Sequence, residues 1–454
     1  MNLRQLCSTL LPFLLIACQG VHSEQKPLAL PQEPLVQVYF NHTESSQYQE
    51  TLRPQQRNGD DLEQQIITAI STSKSSVDIA VQELRLPKIA QALVERQKAG
   101  VKVRVILENT YNHPLNESPP RKTPREAAKY DELRTQSDRN SDGQISAQEA
   151  NQGDALLILR NAKVRVIDDT ADGSKGSDLM HHKFIIVDDR TLIVTSANFT
   201  SSDIHGDISN PQSTGNANNL VKIDSLELAA LFTQEFNLMW GKSPLFGLKK
   251  PFRPPQQVQV GNTTIDVQFS PTSPTSPWSQ STNGLIAKTL TTSSQSVNLA
   301  LFVFSDQNIA NTLEQQSLHN VQIRAVIDRD FIYRPYSEAL DMMGVSLSNK
   351  CKYEANNHPW QKAITTVGVP KLLKGDLLHH KFAVIDNSAV ITGSHNWSEA
   401  ANSSNDEALL VIHSPTVAAH YQQEFERLYA EGQLGLPEAI TQKIQKAQRQ
   451  CSKS

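Results

Sequence analysis

Apolar runs long enough to cross a membrane are missing from this 454-residue chain: no stretch approaches the ~20 residues that a bilayer requires. Cysteine is scarce too, with four in all, which excludes a small disulfide-held scaffold. After position 18 only Cys351 and Cys451 remain; an oxidising compartment would allow them to pair without requiring it. An excess of positive charge is also absent. The formal net charge is -4, so no global basic field marks a nucleic-acid binder, although a local basic cleft stays compatible with that sum. What is present, at 20% charged residues and a mean hydropathy of -0.42, reads as a globular chain long enough for two domains.

The start of the chain stands apart. Arg4 precedes a short apolar run over residues 10–17 that ends Leu15-Ile16-Ala17-Cys18, the pattern of a secretory leader and not of a membrane span. That ending resembles the lipobox of bacterial lipoproteins, in which the Cys becomes the lipidated first residue after cleavage. The resemblance implies a mature protein tethered to a membrane of the bacterial cell envelope through Cys18, periplasmic or surface-exposed.

The rest of the chain repeats itself. Strand-like segments at 36–40, 77–81 and 101–107 alternate with helical ones at 61–73 and 86–99, and the same order returns at 265–269, 284–292, 297–303, 307–316 and 321–327. Each half ends in a helix carrying matching words, Gln234-Glu235-Phe236 and Gln423-Glu424-Phe425. Alternation of this kind predicts α/β layers around a mixed sheet in each half. The expected boundaries are a leader at 1–17, a polar spacer at 18–34, a first unit at 35–245, a Pro-rich linker at 246–261, a second unit at 262–432 and a polar tail at 433–454.

Within the repeat lies a repeated motif. His181-x-Lys183 is followed by Asp188 and by Thr195-Ser196-x-Asn198; His379-x-Lys381 is followed by Asp386 and by Gly393-Ser394-x-Asn396, with identical spacing. One copy would be weak evidence; two with matching flanks are not. If residues 179–187 form a strand, His181 and Lys183 share one face while His182 and Phe184 point to the other. Asp188 and Asp386 are grouped with the candidate catalytic residues of the motif, but they have the wrong parity for that face, which suggests an orienting or structural role within it. Two imidazoles suit displacement at a phosphodiester, one neutral to attack phosphorus and one protonated to donate to the leaving oxygen. Two lysines and two asparagines would hold the non-bridging oxygens. The scheme needs no metal.

On these residues the chain resembles the phospholipase D superfamily, over roughly residues 35–245 and 262–432. The resemblance implies two tandem phospholipase D-like α/β/α domains related by a pseudo-two-fold axis, with one shared active site at their interface. It implies a covalent phosphohistidine, with His181 as nucleophile and His379 as general acid, an order the sequence does not fix. Lys183, Lys381, Asn198 and Asn396 would hold the phosphoryl group, and Ser196 and Ser394 match the family's serines. Thr195 stands where the family usually has Gly. Glu407 matches a family carboxylate often paired with the catalytic His, while the aligned position in the first copy is Asn218, so the two imidazoles should differ in environment.

One insertion, between the strand ending near Asn109 and a strand expected near Leu156, has no counterpart in the second copy. Residues 138–149 fit the twelve-residue EF-hand calcium loop, with Asp138, Asn140, Asp142, the Gln144 carbonyl, Ser146 and Glu149 as oxygen donors and Gly143 at the sharp turn. Thr123-Pro124-Arg125-Glu126 predicts an entering helix. Calcium is therefore expected in a structural or regulatory role, with no cofactor for catalysis.

The combined expectation is an envelope phosphodiester hydrolase acting on phospholipids. The alternatives are an anchored endonuclease cleaving DNA or RNA, a cardiolipin synthase-like phosphatidyltransferase, and a non-catalytic calcium-dependent binding lipoprotein.

Overall fold

The computed structural model describes residues 27–451, apart from 51, 118–122, 172, 174 and 242–251. The expected leader, Cys18 and the first part of each of the spacer and the linker lie outside the described residues.

The first half runs β1 (Val36–Phe40), α1 (Leu62–Ser71), β2 (Ser76–Val81), α2 (Pro87–Lys98) and β3 (Lys102–Leu107). Helices α3 (Pro124–Ser137), α4 (Ala147–Gly153) and α5 (Ala155–Asn161) precede β4 (Arg165–Asp168). The half closes with β5 (Lys183–Val187), β6 (Thr191–Thr195), β7 (Asn219–Asp224) and α6 (Leu226–Trp240). The second half runs β8 (Gln256–Val260), β9 (Thr263–Ser270), α7 (Thr282–Leu290), β10 (Ser296–Leu301), α8 (Gln307–Leu318), β11 (Gln322–Ile327) and β12 (Val367–Val369). It ends with β13 (Lys381–Ile385), β14 (Ala389–Gly393), β15 (Glu407–His413), α9 (Pro415–Ala430), β16 (Gln433–Leu434) and α10 (Glu438–Cys451).

Sheet order exposes the duplication. The first sheet is β1-β7-β6-β5-β2-β3-β4, and the second repeats it as β9-β15-β14-β13-β10-β11-β12 with β8 and β16 added at its edges. In each, the motif strand is central and lies antiparallel to its neighbour, β5 on β2 and β13 on β10, while β2–β3 and β10–β11 run parallel.

Alternation along these strands feeds two cores at once. Ile185, Val187 and Ile193 face α1 and α2 in the first outer core, whereas Phe184, Ile186 and Val194 face the other half. That inner core is continuous across both halves, and α6 and α9 fill it with Phe232, Phe236, Tyr421 and Phe425. Phe232 packs edge-on against Phe184 at 5.0 Å and against Phe269 of the second half at 4.9 Å. Truncating such a ring costs about 3–5 kcal/mol, so this shared core contributes to holding the two halves together. Both closing helices start on a serine cap, Ser225 and Ser414, whose side chains accept from the third residue on.

Several sequence expectations are corrected. The segment near Leu156, read as a strand, is helix α5, because Asp154 caps it by accepting from Leu156 N at 2.8 Å and a short apolar run does not reveal its own period. The strand expected over 179–187 begins only at Lys183, since residues 179–182 leave the sheet to reach the other half. Residues 256–260 of the expected linker form edge strand β8 on β9. The described part of the polar tail carries helix α10, which lays Ile444 into the outer core of the second half, and Cys451 is disulfide-bonded to Cys351.

Candidate active site

Each motif enters the site through the opposite half. His181 N donates to Asp406 O at 3.0 Å, and Asp406 N returns to Leu179 O at 2.9 Å. In mirror fashion His379 N donates to Ala217 O at 3.1 Å, and Ala217 N to Leu377 O at 2.8 Å. These two exchanges pull each histidine off its own sheet and across the pseudo-two-fold axis.

The side chains follow. Nδ1 of His181, in the first half, lies 2.8 Å from Glu407 Oε2 of the second. Nδ1 of His379, in the second half, lies 3.1 Å from Asn218 Oδ1 of the first. Each imidazole is thus held by a partner from the other copy, one a carboxylate and the other a neutral amide. Ser394 Oγ donates to Glu407 at 2.6 Å and Ser196 Oγ to Asn218 at 2.7 Å, so the two motif serines orient those partners. Asn219 N and Ala408 N in turn donate to the serine oxygens.

Behind each histidine sits its lysine. Lys183 Nζ donates to His181 O at 2.9 Å and Lys381 Nζ to His379 O at 2.7 Å, and both side chains are fully buried. An ammonium has three donors, so protons remain for a ligand. Burial lowers Lys183 to about 8 and, with Lys183 beside it, lowers Lys381 to about 7. Burial and the two lysines hold both histidines well below the usual imidazole range. Burial also pushes Glu407 up to about 7. The His181–Glu407 couple therefore favours a neutral imidazole with Nδ1–H toward the carboxylate and a free lone pair on Nε2. Asn198 and Asn396 complete the set; each has a buried Oδ1 without a partner among the described residues, and its Nδ2 is the atom that can donate to an anion. The site gathers two neutral imidazoles, two lysine amines and two asparagine amides, a donor set that suits a phosphoryl anion.

A pH dependence follows from the lysines. Because their charged forms bind the anion, kcat/KM should fall as pH rises through about 7 to 8, roughly tenfold per pH unit. Lys381→Met should remove the lower of these two limbs while lowering activity overall; a pH–rate profile of both proteins measures it.

Asp188 and Asp386, grouped with the catalytic residues of the motif, are not in the site. They sit at the far end of β5 and β13, about 17 Å along the strand from the lysines by strand rise. Asp188 accepts from the backbone N–H of Lys74, Ser75 and Ser76 at 2.7–3.0 Å, and Asp386 from those of Ser294, Gln295 and Ser296 at 2.8 Å each. Each also opens a tight hairpin: Asp188 and Asp189 have φ of 53° and 52°, Asp386 and Asn387 of 48° and 50°. Two successive left-handed residues favour Asp and Asn. Asp188→Ala should cost about 1–2 kcal/mol in chemical denaturation while leaving kcat per folded molecule within about twofold.

Three features escaped sequence reading. The histidines next to the motif pair, His182 and His380, reach Glu235 at 3.3 Å and Glu424 at 2.9 Å, which explains the repeated Gln-Glu-Phe words. Asp203 accepts from Asn198 N at 2.8 Å and lies 3.9 Å from His379 Nδ1. Helix α3, ahead of the calcium-type loop, walls the cavity that opens on His379.

That loop does form between two helices, with Gly143 at φ 78° and Ser146–Glu149 closing a capping box. Its carboxylates do not converge into a ready metal cluster among the described residues. Asp138 accepts from Gly143 N at 2.9 Å and Glu149 from Ser146 N at 3.0 Å.

Comparison with known proteins bears on the family and the fold. The family model described as "Cardiolipin synthase, PLD-like domain" matches residues 66–240 and 286–429, covering both copies. A mitochondrial cardiolipin hydrolase of Xenopus laevis is 28% identical over 186 residues, 40% of this chain and 79% of that protein. A phospholipase D of Rickettsia bellii is 27% identical over 140 residues, 31% of this chain and 60% of its own. The crystal structure of a phosphatidylserine synthase of Haemophilus influenzae overlays on 94% of this chain and 96% of its own, at a TM-score of 0.55 and 11% identity, which supports the fold alone.

Proposed function

The chain belongs to the phospholipase D superfamily, and on that basis we propose that it is a phospholipase D-type phosphodiesterase acting on phospholipids through a phosphohistidine. The carrying observation is the unequal partnering of the two imidazoles. His181, backed by the Glu407 carboxylate, attacks phosphorus through Nε2. The bond from phosphorus to the head-group oxygen breaks, and that oxygen takes a proton from His379 Nε2. The carboxylate compensates the positive charge that the phosphorylated imidazole carries, which the neutral amide of Asn218 cannot do. Water then attacks phosphorus, giving its proton back to His379, and the His181–phosphorus bond breaks. Lys183, Lys381, Asn198 and Asn396 hold the non-bridging oxygens throughout.

The free His379 is held neutral by burial and the lysines. A bound phosphodiester anion offsets those positive charges and raises its proton affinity, with Asp203 acting in the same direction from 3.9 Å. Phospholipid as substrate is supported by the cardiolipin hydrolase and phospholipase D relatives and by the tether proposed at Cys18, which would put the site beside a bacterial envelope membrane.

The loop at 138–149 is part of the same proposal. Its donors, Asp138, Asn140, Asp142, the Gln144 carbonyl, Ser146 and Glu149, are all oxygen, a set that fits calcium. Bound calcium would stiffen the turn between α3 and α4.

The test is turnover by the mature protein of phospholipid vesicles and of single- and double-stranded DNA, with calcium or with chelator. Head-group release is expected in both conditions, with chelator lowering the melting temperature. DNA cleavage with inert vesicles would replace the lipid reading by a nuclease. Activity lost to chelator with the fold intact by circular dichroism would overturn the phosphohistidine scheme.

A further inference from the structure

The cavity that opens on His379 is asymmetric, and its asymmetry comes from the insertion. Lys129, Glu132 and Gln136 of α3 line it together with Asn198, Phe302 and His379. His181 does not line it. If His379 protonates the leaving oxygen, this is where the departing alcohol sits.

The charges on that wall are unevenly satisfied. Glu83 is shared by Lys129, which reaches it through a short ion pair, and by Arg85 at 3.4 Å, so both cations of the wall already have a carboxylate. Arg85 further donates to the carbonyls of His113 and Tyr111, and the Lys129 ammonium rests 4.4 Å from the Tyr111 ring. Gln136 is spent on the carbonyls of Arg85 and Gly153. Glu132 is different. Its oxygens accept only from neutral donors, Ser202 Oγ at 3.0 Å and Ile208 N at 3.3 Å, and among the described residues it has no cationic partner. Burial, with Asp207 nearby, pushes its carboxyl upward, a penalty that a cation would relieve. A second observation points into the same space: Asn198, only 8% exposed, lines the cavity with its Oδ1 unpartnered.

A quaternary ammonium would want an aromatic cage, and among the described residues Phe302 is the one Phe, Tyr or Trp ring that lines the cavity. A primary ammonium needs hydrogen-bond acceptors, and Glu132 has capacity left. We propose that the α3 wall is the leaving-group subsite and that Glu132 receives the primary ammonium of a compact amino-alcohol esterified to the phosphoryl group. This deepens the phosphodiesterase reading and rests on it. The same helix leads into the calcium-type loop, so the loop anchors a wall of the site from outside.

The test uses soluble head-group diesters and the His181→Ala protein, which should bind without turning over. Calorimetric titration with glycerophosphoethanolamine, glycerophosphocholine and glycerophosphoglycerol is expected to rank the ethanolamine diester at least about tenfold tighter, as a charged hydrogen bond would give. Adding Glu132→Gln should erase that preference and leave glycerophosphoglycerol affinity unchanged, with melting curves confirming the fold. Equal binding of all three, or a preference that survives Glu132→Gln, overturns the subsite and leaves the phosphodiesterase standing. No binding of any diester overturns both.

Discussion

His181→Ala should abolish turnover of every phosphodiester, whereas His379→Ala should spare substrates whose leaving group needs no proton. A nucleophile is required whatever departs, so its loss should lower kcat by about 10⁴-fold or more on all substrates. A general acid matters in proportion to the basicity of the leaving oxygen. On an alkyl diester such as a phospholipid, His379→Ala should cost about 10²–10⁴-fold in kcat. On a p-nitrophenyl diester the loss should shrink to within about tenfold, because p-nitrophenolate departs unprotonated. The structural basis is the cross-pairing: His181 has the carboxylate of Glu407 at 2.8 Å, while His379 has the amide of Asn218 at 3.1 Å and opens on the cavity walled by α3. Steady-state kinetics on both substrate types, with melting curves as the folding control, decides it. A His379 variant dead on both substrates, beside a His181 variant that keeps the p-nitrophenyl activity, would exchange the two roles.

Glu407→Gln should be nearly as damaging, with kcat down about 10²–10⁴-fold and KM little changed. The Glu407 side chain is fully buried between His181 and Ser394, so the substitution preserves shape while removing the charge that balances a phosphorylated imidazole. An amide in that place can also turn its N–H₂ toward Nδ1 and favour the wrong tautomer. Placing a carboxylate on the other histidine supplies the control. In the double variant Glu407→Gln with Asn218→Asp, the charge moves to His379, and kcat should stay low if His181 is the nucleophile. Recovery to within about tenfold of wild type would show that either histidine can attack and that the carboxylate alone chooses. A loss below fivefold for Glu407→Gln would mean that the couple does not set the rate.

Much of the frame was legible beforehand because it is written in local periodicity. The strands at 36–40 and 77–81 and the helices closing each half were readable from two- and three-to-four-residue spacing, and parity along 183–187 kept Asp188 off the face of Lys183. Leu156 misled because a four-residue apolar run carries no period, and its helix is set by the Asp154 cap. The segment at 179–182 misled for another reason. It alternates like a strand, yet its backbone hydrogen bonds go to Asp406 in the other half, and pattern cannot say where a bond partner lies. The Gln-Glu-Phe words were visible as a repeat, but their meaning appeared only when Glu235 and Glu424 met His182 and His380.

By itself the sequence determined that this chain holds two equivalent α/β units, each with an imidazole, an ammonium and an amide at fixed spacing. Those are properties of short segments, where chain geometry dictates which neighbours share a face. Tertiary structure alone decided that each histidine finds its partner in the opposite half, which backbone amides the motif aspartates cap, and that an inserted helix closes one side of the site. Each of those contacts joins residues tens to hundreds of positions apart, Glu407 to His181 and Lys129 to Glu83 among them. They are set by how one continuous core packs two copies against each other, and no local pattern encodes that registry.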